Sequence, residues 1–201
     1  MVWDIILNSS LVGSLVGTTI AGLVAIYVMR RQLKHDSDIK RKGELNFLIN
    51  VTTKYCESNN VIINYVEKAL TSMNKDDSRH GFFQADTRNL FAEVPDLIHG
   101  FIEEIHMHFN YSNAPADLHY FISLSEKTGN CIKEIMKEIK HDMDKHTKTD
   151  HFYMAYSNKI TDLEKDLEEF KKINDKLLKK RKNYIKEYKR INSSFDDDFS
   201  I

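Results

Sequence analysis

Two Glu-x-x-His pairs form the only pattern in this sequence whose residue types and spacing could bind a catalytic metal. Glu103 precedes His106, and Glu138 precedes His141, in each case by three positions. In di-iron carboxylate bundles this spacing recurs on two helices, and single Glu ligands from the other two helices complete the site. The pattern therefore raises the hypothesis of a bundle metalloenzyme.

The direction of these side chains argues against that hypothesis. At about 100° per residue, Glu103 lies roughly 160° from the apolar face of its predicted helix, and His141 lies about 160° from the apolar face of its own. His106 falls at the border of the apolar face. A buried metal site needs these ligands to point inward, so we expect no metal, no cofactor and no catalytic residue.

Other catalytic signatures are absent from the sequence. It contains no phosphate-binding glycine loop, no G-x-S-x-G motif, no H-E-x-x-H motif and no EF-hand loop. The formal net charge of −1 gives no reason to expect a nucleic-acid partner. The two cysteines, Cys56 and Cys131, are far apart in the sequence and fit a reducing compartment. We therefore predict neither an enzyme nor a small-molecule substrate.

A long uncharged run near the N-terminus predicts that the protein is anchored in a membrane. Residues 5–29 contain no charged side chain, and Arg30 and Arg31 follow directly. A helix over this run is about 37 Å long at roughly 1.5 Å per residue, enough to cross a hydrocarbon core of about 30 Å. A cleaved signal peptide would need a basic start and a shorter run, and the only charge before the run is Asp4. We predict a single transmembrane helix.

The distribution of basic residues predicts the orientation of that helix. Residues 1–4 carry no Lys or Arg, and residues 30–42 carry six. By the positive-inside rule, the N-terminus lies outside the cell membrane and the C-terminal domain is cytoplasmic. The six juxtamembrane basic residues are Arg30, Arg31, Lys34, Lys40, Arg41 and Lys42.

Small residues recur every four positions inside the predicted span. They form a small-xxx-small stripe, which lets a second helix approach closely. The alternative is that small residues are simply common in membrane helices. The stripe consists of Ser9, Gly13, Gly17, Ala21 and Ala25.

The periodicity of the cytoplasmic part predicts an all-α fold of four helices. The predicted helices lie at about 38–73, 82–110, 116–146 and 151–192, and an acidic disordered tail follows at 193–201. Short connections favour an antiparallel bundle with coiled-coil-like heptads. Asn59 and Asn174 fall on seam positions, where a buried Asn commonly fixes register; the alternative is that each faces solvent. The seam of the first helix is Leu45, Leu48, Thr52, Tyr55, Asn59, Ile62, Val66, Ala69 and Met73.

The last predicted helix ends in a basic stretch that includes Lys179, Lys180 and Lys182. If this helix returns toward the bilayer, these lysines face anionic headgroups; otherwise they form a solvated helix face. The leading interpretation is a membrane-anchored scaffold, adaptor or sensor whose partners are lipid and either itself or another protein. The alternatives are a membrane-active or envelope-bridging effector of the phage coiled-coil type and the bundle metalloenzyme.

Overall fold

The computed structural model describes residues 10–75, 84–108, 114–145 and 152–197, with side chains left undescribed at 10–13, 108, 152–156 and 194–197. Within these ranges the fold is entirely helical, as the sequence predicts, and contains no strand. The four helices are α1 (Ser10–Lys75), α2 (Ala85–His108), α3 (Ala116–Lys145) and α4 (Phe152–Asp197).

The ends of the long helices lie beyond the predicted bounds. α1 continues without interruption from the uncharged run into the predicted cytoplasmic helix, over 66 residues. α4 extends to Asp197, so residues 193–197, which we assigned to the tail, are helical, and 198–201 lie outside the described residues. No Gly or Pro follows Gly129 in the sequence, so nothing in the local chemistry forces α4 to stop at 192.

The two prolines have different positions. The carbonyl of Pro115 accepts hydrogen bonds from the backbone N–H groups of Leu118 (2.9 Å) and His119 (3.0 Å), so this proline stands at the start of α3. Pro95 lies inside α2, and the helix is continuous across it.

The chain divides into two compact units. The first comprises Met1–Asn46 and Tyr188–Ile201, and the second is Phe47–Glu187. In the first unit, Leu45 and Ile191 are buried, and the ammonium of Lys42 lies 5.5 Å from the ring centroid of Tyr188. The end of α4 therefore contacts α1 close to Lys42.

The second unit is a four-helix bundle with two clusters of buried side chains. One cluster combines the late part of α1 with the early part of α2, the late part of α3 and the early part of α4. The other combines residues 48–56 of α1 with Ile105 near the end of α2, Leu118 near the start of α3 and Leu177 of α4. Because the order alternates from one helix to the next, successive helices of this unit run in opposite directions.

The seam predicted for α1 matches the buried residues closely. All nine positions from Leu45 to Met73 are buried, including the polar side chains of Thr52 and Asn59. Each large apolar side chain that leaves water contributes about 1.5–3 kcal/mol, so this seam supplies much of the driving force for the bundle. In the first half of α3, Leu118 and Ile122 are buried, whereas the large side chains of Phe121 and Leu124 are only half-buried.

Candidate functional site

The N-terminal part of α1 presents an apolar surface on all its sides. Every residue from 14 to 37 is exposed. Nine large apolar side chains between Leu15 and Met29 have exposed fractions of 45–66%. A helix that is hydrophobic all round normally lies in a protein core or in a membrane, and large exposed apolar patches mark interaction sites.

The structure does not support the transmembrane assignment itself. Across the part of the chain that it describes, no helix combines the length and the hydropathy that a membrane crossing requires. The predicted span begins at residue 5, so its first five residues lie outside the described residues, and its side chains are described from Ser14 onward.

The described part of the small-residue stripe is exposed on the surface of α1. Ser9 lies outside the described residues, and Gly13 is described only as helical backbone. Ala21 and Ala25 are exposed, and a Cβ placed on Gly17 would meet no atom within 4 Å. A Cβ at position 17 would therefore cause no clash within the described part of the chain.

The hydroxyl groups beside this stripe are bonded within α1. Thr18 Oγ1 donates to the carbonyl of Ser14 (2.6 Å), and Thr19 Oγ1 donates to the carbonyl of Leu15 (2.8 Å). These bonds satisfy polar groups inside an apolar helix, as Ser and Thr do in membrane helices.

In the first unit, Lys42 of α1 contacts an aromatic residue near the end of α4. Lys42 contacts the Tyr188 ring, and Lys189 and Arg190 follow on α4. Arg41 pairs with Glu44 at 3.2 Å.

Of the three lysines predicted to face lipid from α4, one is engaged in the bundle. Lys180 donates a hydrogen bond to Asp117 at the start of α3 and lies 5.5 Å from the Phe121 ring centroid. That hydrogen bond lowers the pKa of Asp117 below its ordinary value. Lys179 and Lys182 are exposed.

Both seam asparagines are buried and hydrogen-bonded to other helices. Ser125 Oγ of α3 donates to Asn59 Oδ1 at 3.1 Å. Asn174 Nδ2 donates to Asn60 Oδ1 at 2.7 Å, which joins α4 to α1. Buried polar pairs of this kind act only in one alignment of the helices, so they favour a single register.

Three ionisable side chains, Tyr55, Glu126 and His106, form a chain of contacts that links α1, α2 and α3. No pattern in the sequence predicted this chain. Tyr55 Oη donates to Glu126 Oε1 at 2.5 Å. His106 Nε2 lies 3.1 Å from the same oxygen. Tyr55 and Glu126 are 71 positions apart in the sequence, so no local spacing could have identified the contact.

The Glu-x-x-His residues do not come together. Glu103 pairs with His99 (3.3 Å) rather than with His106, and Glu138 pairs with Lys159 (3.2 Å). His141 is exposed. Within the ranges where side chains are described, no group of three His, Cys, Asp or Glu residues could hold a metal ion.

The two thiols have different surroundings. Cys131 is exposed, whereas Cys56 is buried. Burial raises the pKa of the Cys56 thiol to about 11, against an opposing effect from Arg181. Cys56 is therefore a protonated, unreactive side chain at neutral pH.

Comparison with known proteins identifies no relative: neither a family model, nor a curated protein, nor a solved structure matches this chain.

Proposed function

We propose that this protein is a single-pass, membrane-anchored helical scaffold whose N-terminus lies outside the cell and whose bundle lies in the cytoplasm. The observation that carries the proposal is the exposed apolar surface of α1 between Leu15 and Met29. Water contact at so many large apolar side chains is unfavourable, at about 25 cal/mol for each Å² that could be buried. The bilayer would bury all sides of this helix at once.

The sequence around this surface supports the bilayer as its environment. The uncharged run starts at residue 5, before the described residues, and extends to residue 29. Tyr27 lies near its end, where aromatic side chains commonly sit at the membrane interface. Arg30 and Arg31 come next and would lie among the lipid headgroups.

Distance along α1 divides the basic residues into two groups. Lys34 lies about 7 Å along the helix from Met29, within reach of the headgroups. Lys40 lies about 16 Å from Met29, which is roughly two Debye lengths at physiological ionic strength if the helix is upright. We therefore assign lipid contact to Arg30, Arg31 and Lys34, and not to Lys40, Arg41 and Lys42.

The scaffold role rests on two surfaces. The small-residue stripe through Gly17 would let two anchors associate in the membrane. The bundle exposes Tyr65, Met107 and Tyr120, large side chains of the types enriched at protein interfaces. The proposed partners are thus lipid, a second copy of the chain and a cytoplasmic protein.

Alkaline carbonate extraction of cell membranes tests the anchor. The full chain should stay in the membrane pellet, and a chain that starts at residue 38 should move to the supernatant. Equal release of both chains would contradict membrane anchoring.

Cysteine labelling in intact cells tests the orientation. Asp198→Cys, made with Cys131→Ser to remove the exposed thiol, should resist an impermeant maleimide until the cells are opened. Val2→Cys in the same background is the matched control and should react from outside. External labelling at position 198 would contradict the cytoplasmic assignment and favour the envelope-bridging effector.

A further inference from the structure

A small cavity lies beside the polar contacts of the bundle. Its volume of about 20 Å³ is just above the minimum that a single water molecule needs. Its apolar wall includes Ile98, Gly129 and Phe170. The residues with polar side-chain groups that line it are Tyr55, Ser58, Asn59, Ser125 and Glu126.

The side-chain amide of Asn59 has one unmatched polar atom at this cavity. Asn59 is 97% buried, and its Oδ1 accepts the hydrogen bond from Ser125. Its Nδ2 is buried and has no hydrogen-bond partner. Rotating the amide by half a turn would exchange its two ends and leave the oxygen unmatched instead, so the deficit does not depend on the assigned orientation.

We propose that the cavity binds one water molecule, which accepts a hydrogen bond from Asn59 Nδ2. Ser125 Oγ and the Glu126 carboxylate line the same cavity and supply the further polar partners that a buried water needs. The water would connect the Asn59–Ser125 pair to the chain of Tyr55, Glu126 and His106, and so complete one polar network across α1, α2 and α3.

Gly129 offers a way to displace this water without touching a polar group. A Cβ added to Gly129 would lie 3.7 Å from Phe170 Cε2 and 3.8 Å from Ile98 Cγ2, ordinary contact distances to two residues of the cavity wall. A Cβ added to Gly100, inside α2, would meet nothing within 4 Å. Gly100→Ala is therefore the matched control.

The direct test is transfer of water magnetisation to the Asn59 amide, measured by NMR on the full chain in detergent micelles. Asn59→Leu assigns the signal. A long-lived water contact should appear at Asn59 Nδ2 in the wild type and in Gly100→Ala, and it should be lost in Gly129→Ala. Absence of the contact in the wild type, or its persistence in Gly129→Ala, would overturn the proposal.

Stability gives an independent readout. Ala is preferred over Gly inside helices, so Gly100→Ala should lower the equilibrium constant for unfolding about fivefold. Gly129→Ala should show little or none of this gain, because loss of the water leaves the Asn59 amide unmatched. A gain at Gly129 equal to that at Gly100 would count against the bound water.

Discussion

Replacement of Tyr55 by phenylalanine tests whether the chain of Tyr55, Glu126 and His106 stabilises the bundle. Tyr55 is only 3% exposed and packs in the cluster that joins the start of α3 to α1. Its hydroxyl donates to Glu126 Oε1 at 2.5 Å. Phenylalanine keeps the ring in place and removes this one hydrogen bond between α1 and α3.

The expected loss follows from the surroundings of the carboxylate. A hydrogen bond to a charged group contributes about 1.5–3 kcal/mol when the site is dry. The Glu126 side chain is 19% exposed and also contacts His106, so water can replace part of the lost bond. We expect Tyr55→Phe to lower the free energy of unfolding by about 1–2 kcal/mol, or the melting temperature by about 2–8 °C.

Urea unfolding of the full chain in a mild detergent, followed by circular dichroism, measures this change. His106→Gln is the control: its side chain is 51% exposed, so it should change the free energy of unfolding by less than about 0.5 kcal/mol. Adding Glu126→Gln to each variant completes a double-mutant cycle. The coupling energy should be larger for Tyr55 with Glu126 than for His106 with Glu126.

Two results would refute the reasoning. If Tyr55→Phe changed the free energy of unfolding by less than about 0.5 kcal/mol, the buried hydroxyl would contribute no more than an ordinary surface group. If the cycle gave equal coupling for Tyr55 and His106, burial would not be what makes the first contact strong.

Three further predictions concern the anchor, an ion pair and the thiols. Gly17→Leu should weaken self-association in a membrane two-hybrid assay. The control Gly22→Leu, which lies about 140° from Gly17 around the helix, should not weaken it. Equal loss of self-association in both variants would show that the small-residue stripe does not form the interface. Hydrogen bonds from Lys159 to acidic residues of α3 raise its pKa above 10.5, so its stabilisation is present at neutral pH and disappears as pH rises past that raised value. In urea titrations, the difference between wild type and Lys159→Gln should therefore vanish at high pH, and a difference that grew with pH would contradict this sign. Native protein should react with a thiol reagent at Cys131 and not at Cys56 until urea is added; equal rates would contradict the burial of Cys56.

Local periodicity was enough to predict the helical fold and the buried face of α1. The spacing from Leu45 to Met73 repeats at intervals of three and four, and burial follows it at every position. The same kind of signal was weaker in the first half of α3. Leu118, Ile122, Ser125, Gly129 and Ile132 continue that spacing, but a serine and a glycine on the seam hid it from a search for large apolar residues.

Helix geometry applied to the sequence also predicted that Glu103 and His141 point away from the core, and both residues are exposed in the structure. It placed His106 at the border of the apolar face without showing its partner. The structure supplies that partner, Glu126, from the next helix. The hydrogen bond from Lys180 to Asp117 likewise could not be predicted from the sequence. A run of basic residues does not show which of its members faces a neighbouring helix.

The sequence by itself determined the helices, the uncharged N-terminal run and the seam of α1, because each depends on residues within a few turns of one another. The tertiary structure alone decided which polar groups meet: Tyr55 with Glu126, Ser125 with Asn59, and Lys42 with Tyr188. A helix fixes the direction of its side chains through its own hydrogen bonds, whereas a contact between helices also depends on their rotation and axial alignment. Those two quantities are set by packing of the whole core and leave no local pattern in the sequence.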